Sequence, residues 1–371
     1  MAPIVRHERR DVVVVGGGPA GVCAAVSAAR AGRQTLLIEK YGFLGGMATT
    51  AMFAPWKGLL YDEPSFAPSV AAEIINKLEI ASGCRKIAGD QTFTVMFDVE
   101  TLKSCLQELV LDAGADLLLH THFLSASVSH AHVTSIIVQC REGAVQIDAD
   151  VFIDATGNGD LAASCGEPFS LSGDPVSYNF SMINVDCAAL THSLYYARER
   201  IAQAQDEWRA SSPLLHPRTT IEINEGIIPS SAIVSMIMLP GDDVLTIDGL
   251  TRAELKAQSL LPAAEKFLRA AMPGFAQAQR GAAAPQIGFH STRLFDSRRQ
   301  REFDDEEISV AVPGSPEETT LITSNAMRAT CVNNVLLTGR LLLAPELLYS
   351  TNNQPASMAL GETAGFLAVS L

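Results

Sequence analysis

With 371 residues, 47% of them apolar and 18% charged, the chain has the composition of a soluble enzyme with a large core and about two domains. Its net charge of −14 argues against nucleic acid or an anionic membrane surface as a partner, and an acidic substrate would need a local basic pocket. It has no apolar segment of about 18 residues, and Arg6, Glu8, Arg9 and Arg10 run straight into the first strand, so no membrane span or signal peptide is expected and the protein reads as cytoplasmic.

Residues 12–15 form a valine run suited to a buried parallel strand, and Gly16, Gly18 and Gly21 follow at G-x-G-x-x-G spacing. Gly16 allows the tight turn, Gly18 lets a pyrophosphate approach the backbone, and Gly21 lets the next helix pack closely on the strand. That helix opens at Pro19 and Ala20, carries Cys23 as a core residue, and stops at Gly32; its N-terminal amides favour phosphate. Residues 35–38 make a second strand. Glu39 closes it, where a carboxylate accepts hydrogen bonds from ribose hydroxyls and disfavours a 2′-phosphate. Both FAD and NAD use such a unit. FAD is favoured by the position of the unit at the start of the chain, by a second glycine block at Gly42, Gly45 and Gly46, and by a third turn at Ala155, Thr156 and Gly157.

Further along, residues 70–78 read as a helix, and a second helix runs from an Asp98 cap through Leu102, Cys105, Leu106 and Leu109 to a stop at Gly114. Residues 117–120 return to the sheet. Residues 133–140 and 144–147 read as a hairpin around Gly143, and residues 151–153 as a separate strand entering the turn at Ala155. Gly157, Gly159 and Ala162 also fit G-x-G-x-x-A, a rival NAD(P)H site, but the helix after them is too short for a crossover before Gly166 and Pro168. Residues 178–185, 232–239 and 244–247 are strand candidates, with one helix between the first two along Leu190, Leu194, Ile201 and Trp208. Thr251 and Glu254 form a capping-box pattern, with Pro262 expected to kink or divide the helix they start. Residues 304–307 read as a solvated acidic loop or strand edge. Residues 334–338 form a strand leading to Gly339 and Arg340, and Pro355 opens a small-residue helix through Ala356 to Phe366. Seven cysteines without C-x-x-C or paired His spacing indicate neither a disulfide framework nor a metal site.

Residues 39–49 follow the pattern E-K-x-G-x-L-G-G-x-A-T, and residues 152–160 read F-I-D-A-T-G-N-G-D. On these stretches, and on residues 288–293 and 337–365, the chain resembles the FAD-dependent oxidoreductases of the two-dinucleotide-binding-domain, glutathione-reductase-like class. The resemblance lapses between about residues 170 and 285. It implies an α/β fold: a Rossmann-like, glutathione-reductase-like FAD-binding domain (residues 1–169 and 330–371) with an inserted mixed α+β substrate domain (170–329), mainly antiparallel sheet plus helices. It also implies that Lys40, Gly45, Gly46 and Met47 lie along the FAD, that Phe123 or Leu124 meets its adenine end, and that the Ala155-Thr156-Gly157 turn passes near it. Asp160 is expected to bind backbone or cap the short helix. Gly339, Arg340, Pro355 and Ala356 are placed at the pyrimidine end of the isoalloxazine, where a helix N-terminus stabilises the negative charge of reduced flavin.

Several missing motifs narrow the reaction. Gly45, Gly46 and Met47 stand where disulfide reductases of this class carry a redox cysteine pair, the G-D motif of aromatic hydroxylases is replaced by Gly339 and Arg340, and no halogenase tryptophan motif is present. The leading expectation is therefore oxidation or dehydrogenation of a small organic substrate by hydride transfer to flavin N5. A monooxygenase or reductase fed by NAD(P)H or an external reductase is the alternative, and an FAD-carrying electron-transfer or structural subunit is the alternative of another class. A homo-oligomer and an external electron acceptor stay open. The site candidates are His290, an imidazole suited to moving a proton, Arg293, which either orients a substrate carboxylate or flavin or pairs with an acid, and Tyr349, in a linker with Glu346, Asn352 and Asn353. Lys57 is either flavin-adjacent or a solvated side chain.

Overall fold

Val12, Val13 and Val14 are fully buried, as an unbroken apolar run requires when a strand is covered on both faces. The computed structural model describes residues 3–60, 69–89, 92–172, 175–211, 215–216, 218–238, 244–290, 292–295, 309–315, 318–342 and 354–371. In chain order its first part is β1 (Ile4–Val15), α1 (Pro19–Arg30), β2 (Thr35–Ile38), α2 (Met47–Thr50), β3 (Trp56–Leu60), α3 (Val70–Ile80), β4 (Cys84–Ala88), β5 (Thr92–Phe97), α4 (Val99–Asp112), β6 (Asp116–Leu118), β7 (His122–Ser129), β8 (His132–Cys140), β9 (Gly143–Asp154) and α5 (Asp160–Ser164). The remainder is β10 (Ser170–Leu171), β11 (Val176–Ile183), α6 (Cys187–Tyr196), α7 (Arg198–Ala210), β12 (Thr220–Glu225), β13 (Ser231–Met238), α8 (Ile247–Ala271), β14 (Gln279–Ala283), β15 (Gly288–Phe289), β16 (Arg293–Leu294), β17 (Ser309–Ser315), β18 (Glu318–Thr323), β19 (Val335–Leu337) and α9 (Gln354–Leu367).

The larger sheet runs β6-β2-β1-β9-β8-β7, with β19 paired to the end of β9. Its β6, β2, β1, β9 and β19 are parallel, which gives a mixed α/β fold around a Rossmann-like sheet. The expected hairpin around Gly143 forms, β8 pairing antiparallel with the first half of β9, but its second arm and the strand expected at residues 151–153 are one 12-residue strand. No glycine or proline interrupts it, so its first half pairs with β8 and its last residues with β19 on the same side. The strand of residues 117–120 is shorter, because the chain turns at His120 with φ 52°. Asp98 caps α4 through Thr101 N–H, as its spacing predicts.

The second sheet is antiparallel, β12-β13-β11-β14, with β15 also on β11. Three expectations there are corrected, and a division at Pro262 is not seen. The single helix of residues 190–208 is two, broken at Ala197 (φ −126°, ψ 29°). Residues 244–247 are not a strand: Thr246 is the cap of α8, accepting from Gly249 N–H at 3.1 Å. Thr251 therefore lies inside the helix, donating to the Ile247 carbonyl at 2.6 Å, and the capping box falls away. Pro262 leaves α8 undivided over 25 residues. Strands β12, β14 and the three-stranded sheet β3-β5-β4 had no sequence assignment. Residues 304–307 lie outside the described residues.

Helix α9 lies against α1 at very close range. A Cβ on Gly361 would stand 2.0 Å from the Ala20 carbonyl oxygen, and one on Gly365 would stand 2.3 Å from that of Ala24. These two glycines set the start of α9 beside the first glycine turn. The described helices include none long and apolar enough to cross a membrane.

Candidate active site

A cavity of about 400 Å³ opens at the carboxyl ends of β1, β2, β9 and β19, where Val15, Ile38, Ala155 and Thr338 line it. Ligands of open α/β sheets bind at this edge. Its far wall comes from the antiparallel sheet and α8.

The three motif glycines divide by what surrounds them. Gly16 has φ +107°, and a Cβ there would meet the Ala155 carbonyl oxygen at 2.5 Å; a Cβ on Gly21 would stand 1.8 Å from the Gly16 carbonyl oxygen. Both positions are closed by the chain itself. Around Gly18 the nearest atom is the Gly46 Cα at 3.8 Å, so its open side faces the cavity. Gly45 N–H donates to the Gly17 carbonyl at 2.8 Å and folds the second glycine loop onto the first. Gly16, Gly18, Pro19, Ala20, Gly46 and Met47 thus reach the cavity wall, while Gly21 and Gly45 support it from behind.

Glu39 is 5% exposed. Its carboxylate accepts from Gly17 N–H at 2.7 Å and Tyr41 N–H at 2.9 Å, which partly offset the upward push of burial on its pKa. Lys40 and Phe123 line the same end of the cavity, with Thr121 and His122; Leu124 points to solvent. The Ala155-Thr156-Gly157 turn is organised by a residue to which no role was assigned. Asp154 is fully buried and accepts from Thr156 N–H at 3.0 Å, Thr156 Oγ1 at 2.7 Å and Ala162 N–H at 2.8 Å. Burial pushes its pKa up to about 6. The Asp residue was visible in the F-I-D-A-T-G stretch, but nothing local showed that both its oxygens close the turn.

Asp160 does not cap α5. Gly159, with φ 68°, is the cap, and the Asp160 carboxylate accepts from Arg293 Nη1 at 2.7 Å. Arg293 also donates to the Asn158 carbonyl at 2.8 Å and lies behind the cavity wall, so its geometry is that of the ion-pair alternative. Arg340 lines the cavity and donates to the carbonyls of Gly157 and Phe289, each at 2.6 Å, and to Asn158 Oδ1 at 2.9 Å. Burial pushes its pKa down to about 10. A Cβ at Gly159 would meet the Phe295 ring at 2.2 Å, and α5 has 5 residues, so the rival nucleotide turn has no room for a phosphate.

His290 lines the cavity with Nε2 3.2 Å from Ser177 Oγ, its ring 5.2 Å from that of Phe53. At the start of α9, Gln354 and Ser357 face the cavity, whereas Pro355 and Ala356 are packed behind them. Gln354 is fixed between Trp56 Nε1, which donates to it at 2.8 Å, and the Phe53 carbonyl, to which it donates at 3.1 Å. Lys57 pairs with Glu222 at 3.7 Å and is not a wall residue. Tyr349, Glu346, Asn352 and Asn353 lie outside the described residues.

A parallel sheet with two stacked glycine loops at its carboxyl edge and an acid closing β2 defines a dinucleotide-binding fold of the flavoprotein kind. The chain belongs to the FAD dependent oxidoreductase family, whose profile matches residues 11–306, and FAD is its cofactor. Two features of the cavity fit that group: the open side of Gly18, and the Thr338 hydroxyl, buried in the wall without a hydrogen-bond partner among the described residues. A thiamine thiazole synthase of Aeropyrum pernix is 29% identical over 165 residues, covering 41% of this chain and 56% of that protein. The match spans little more than half of that relative. Among solved structures, a geranylgeranyl bacteriochlorophyll reductase-like protein from Thermoplasma acidophilum aligns over 98% of this chain and 79% of its own, with a TM-score of 0.58 at 17% identity. A p-nitrophenol 4-monooxygenase of Pseudomonas putida aligns over 99% and 80%, with a TM-score of 0.57 at 10% identity. These likenesses give the fold without singling out the glutathione-reductase type.

Proposed function

We propose that the protein oxidises a small organic molecule at a C–N, C–O or activated C–C bond. Residues 1–169 and 330–371 act as the cofactor unit and residues 170–329 as the substrate unit. The reading rests on one observation, that a cavity joins the dinucleotide wall to a side-chain wall carrying His290; Phe295 at the rival nucleotide turn supports it. FAD, when bound, supplies a two-electron acceptor at flavin N5. The chain's own groups do the rest. Glu39 holds ribose hydroxyls, the Gly18 and Gly46 backbone meets the pyrophosphate, and Phe123 backs the adenine. Lys40 and Met47 flank the cofactor, and Ala155 to Gly157 close over it. Gly339, Arg340 and the first turn of α9 face the flavin, with Pro355 and Ala356 fixing that turn. His290, anchored on Ser177, takes the proton released when a hydroxyl, amine or α C–H is oxidised. Tyr349 is retained as a hydrogen-bond donor to substrate.

Monooxygenation or reduction fed by NAD(P)H or a reductase is the second reading, favoured by the likeness in fold to the p-nitrophenol monooxygenase. Anaerobic titration of the FAD-loaded protein separates the two. Bleaching of the flavin by members of a panel of amines, alcohols and acids, with no bleaching by NADH or NADPH, is expected; rapid bleaching by a nicotinamide would sink the dehydrogenase reading. Bleaching only by a partner protein would make the chain an electron-transfer subunit.

A further inference from the structure

Among the described residues three carboxylates line the cavity, and two are already committed. Glu39 accepts two backbone N–H groups and Asp160 pairs with Arg293. The third, Glu254, comes from α8 in the substrate half. It accepts one backbone N–H, that of Ile287 at 2.9 Å. No Lys, Arg or His side chain among the described residues makes an ion pair with it, although it is half-buried. Its titratable neighbours are the Tyr41 and Tyr178 phenols, and the Tyr41 hydroxyl donates to Gln286 Oε1. A carboxylate drawn partly out of water with no cation beside it among the described residues is held at a cost, which a ligand cation would offset.

The rest of the wall points the same way. Val244, Leu250 and Phe289 give the same cavity an apolar lining. Arg340, the guanidinium in the wall among the described residues, has each of its three nitrogens bound, to two carbonyls and to Asn158, and Lys40 sits over the Tyr41 ring with Nζ 5.1 Å from its centroid. Among the described residues, an anionic substrate would find there only a guanidinium whose three nitrogens are already bound. The net charge of −14 draws cations towards the protein over a longer range.

We infer that Glu254 anchors a cationic nitrogen, and that the substrate is an organic amine with an apolar body. This deepens the oxidoreductase reading, since it selects amines from the bonds considered there. The FAD-loaded protein, kept anaerobic, is titrated with benzylamine, phenethylamine and hexylamine and with their isosteric alcohols and carboxylates, following the flavin spectrum and equilibrium dialysis. At least one amine should bind at least tenfold more tightly than its alcohol, with no measurable binding of the carboxylate. Glu254→Gln, which keeps an acceptor for Ile287 N–H, should erase that preference with FAD content unchanged. If this variant fails to fold, Glu254→Asp replaces it and should reduce the preference without abolishing it. The inference is overturned if no amine binds better than its alcohol, if the preference survives the substitution, or if the substitution releases FAD and so assigns Glu254 to the cofactor. Tight amine binding without bleaching would leave Glu254 as the anchor and contradict only the oxidation reading.

Discussion

The two walls of the cavity are held by different kinds of atom. On the parallel-sheet side the groups that face or shape it are largely backbone: the open flank of Gly18, the Gly45 N–H bond to Gly17, and the amides of Gly17 and Tyr41 fixed on Glu39. On the antiparallel side they are side chains from separate elements, with Glu254 from α8, His290 after β15 and Ser177 behind it on β11. A backbone cradle demands glycines at fixed spacing and tolerates little else. A side-chain wall can be rebuilt one residue at a time. The parallel-sheet wall should therefore fail all at once when altered, and the antiparallel wall should fail in graded steps.

The largest effect expected is at Gly21. Gly21→Val drives a side chain into the Gly16 carbonyl at a point where the strand-turn-helix unit has no slack, and should yield no folded protein by circular dichroism. Recovery of a folded, yellow variant would break the contrast. On the other wall, His290→Ala should keep FAD and slow flavin reduction by roughly 10²-fold, the usual loss for an acid-base group. Unchanged stopped-flow kinetics would remove His290 from the chemistry.

A smaller effect is written in pH. The Asp154 pKa stands at about 6 in the folded chain against an ordinary 3.8, so the folded state holds that proton more tightly. Its contribution is fully present below the lower value and is lost as pH rises through the upper one. The melting temperature of the wild type relative to Asp154→Asn should therefore fall between about pH 4 and pH 6 and then level off; a difference constant with pH would contradict the assignment. The smallest change is expected at Arg293→Met. Its partly exposed pair with Asp160 contributes on the order of 1 kcal/mol, so a drop of a few degrees in melting temperature with flavin reduction within about threefold is expected. A collapse in rate would restore Arg293 to the reacting groups.

The contrast between walls also explains what could be read from the sequence. Gly16, Gly18, Gly21 and Glu39 act within one strand-turn-helix-strand unit, so their spacing carried their arrangement. The Asp98 cap of α4 was legible for the same reason. Strand β12 shows alternating burial at Ile221 and Ile223, yet what makes it a strand is pairing with β13. Glu254 was read as half of a capping box, because the true cap, Thr246, lay in a run that looked like a strand. Gln354 meets Trp56 across 298 residues of sequence, and no local pattern encodes such a contact.

The most direct test of the account is the cofactor content of the wild type and of Gly18→Val, read from the visible spectrum and from the nucleotide released on denaturation. The wild type should release FAD. Gly18→Val should fold with a melting temperature close to that of the FAD-free wild type and be colourless, because the space its side chain takes is left open by the chain and is the one proposed for the pyrophosphate. A yellow, fully loaded Gly18→Val protein would contradict the placement of the cofactor between the two glycine loops.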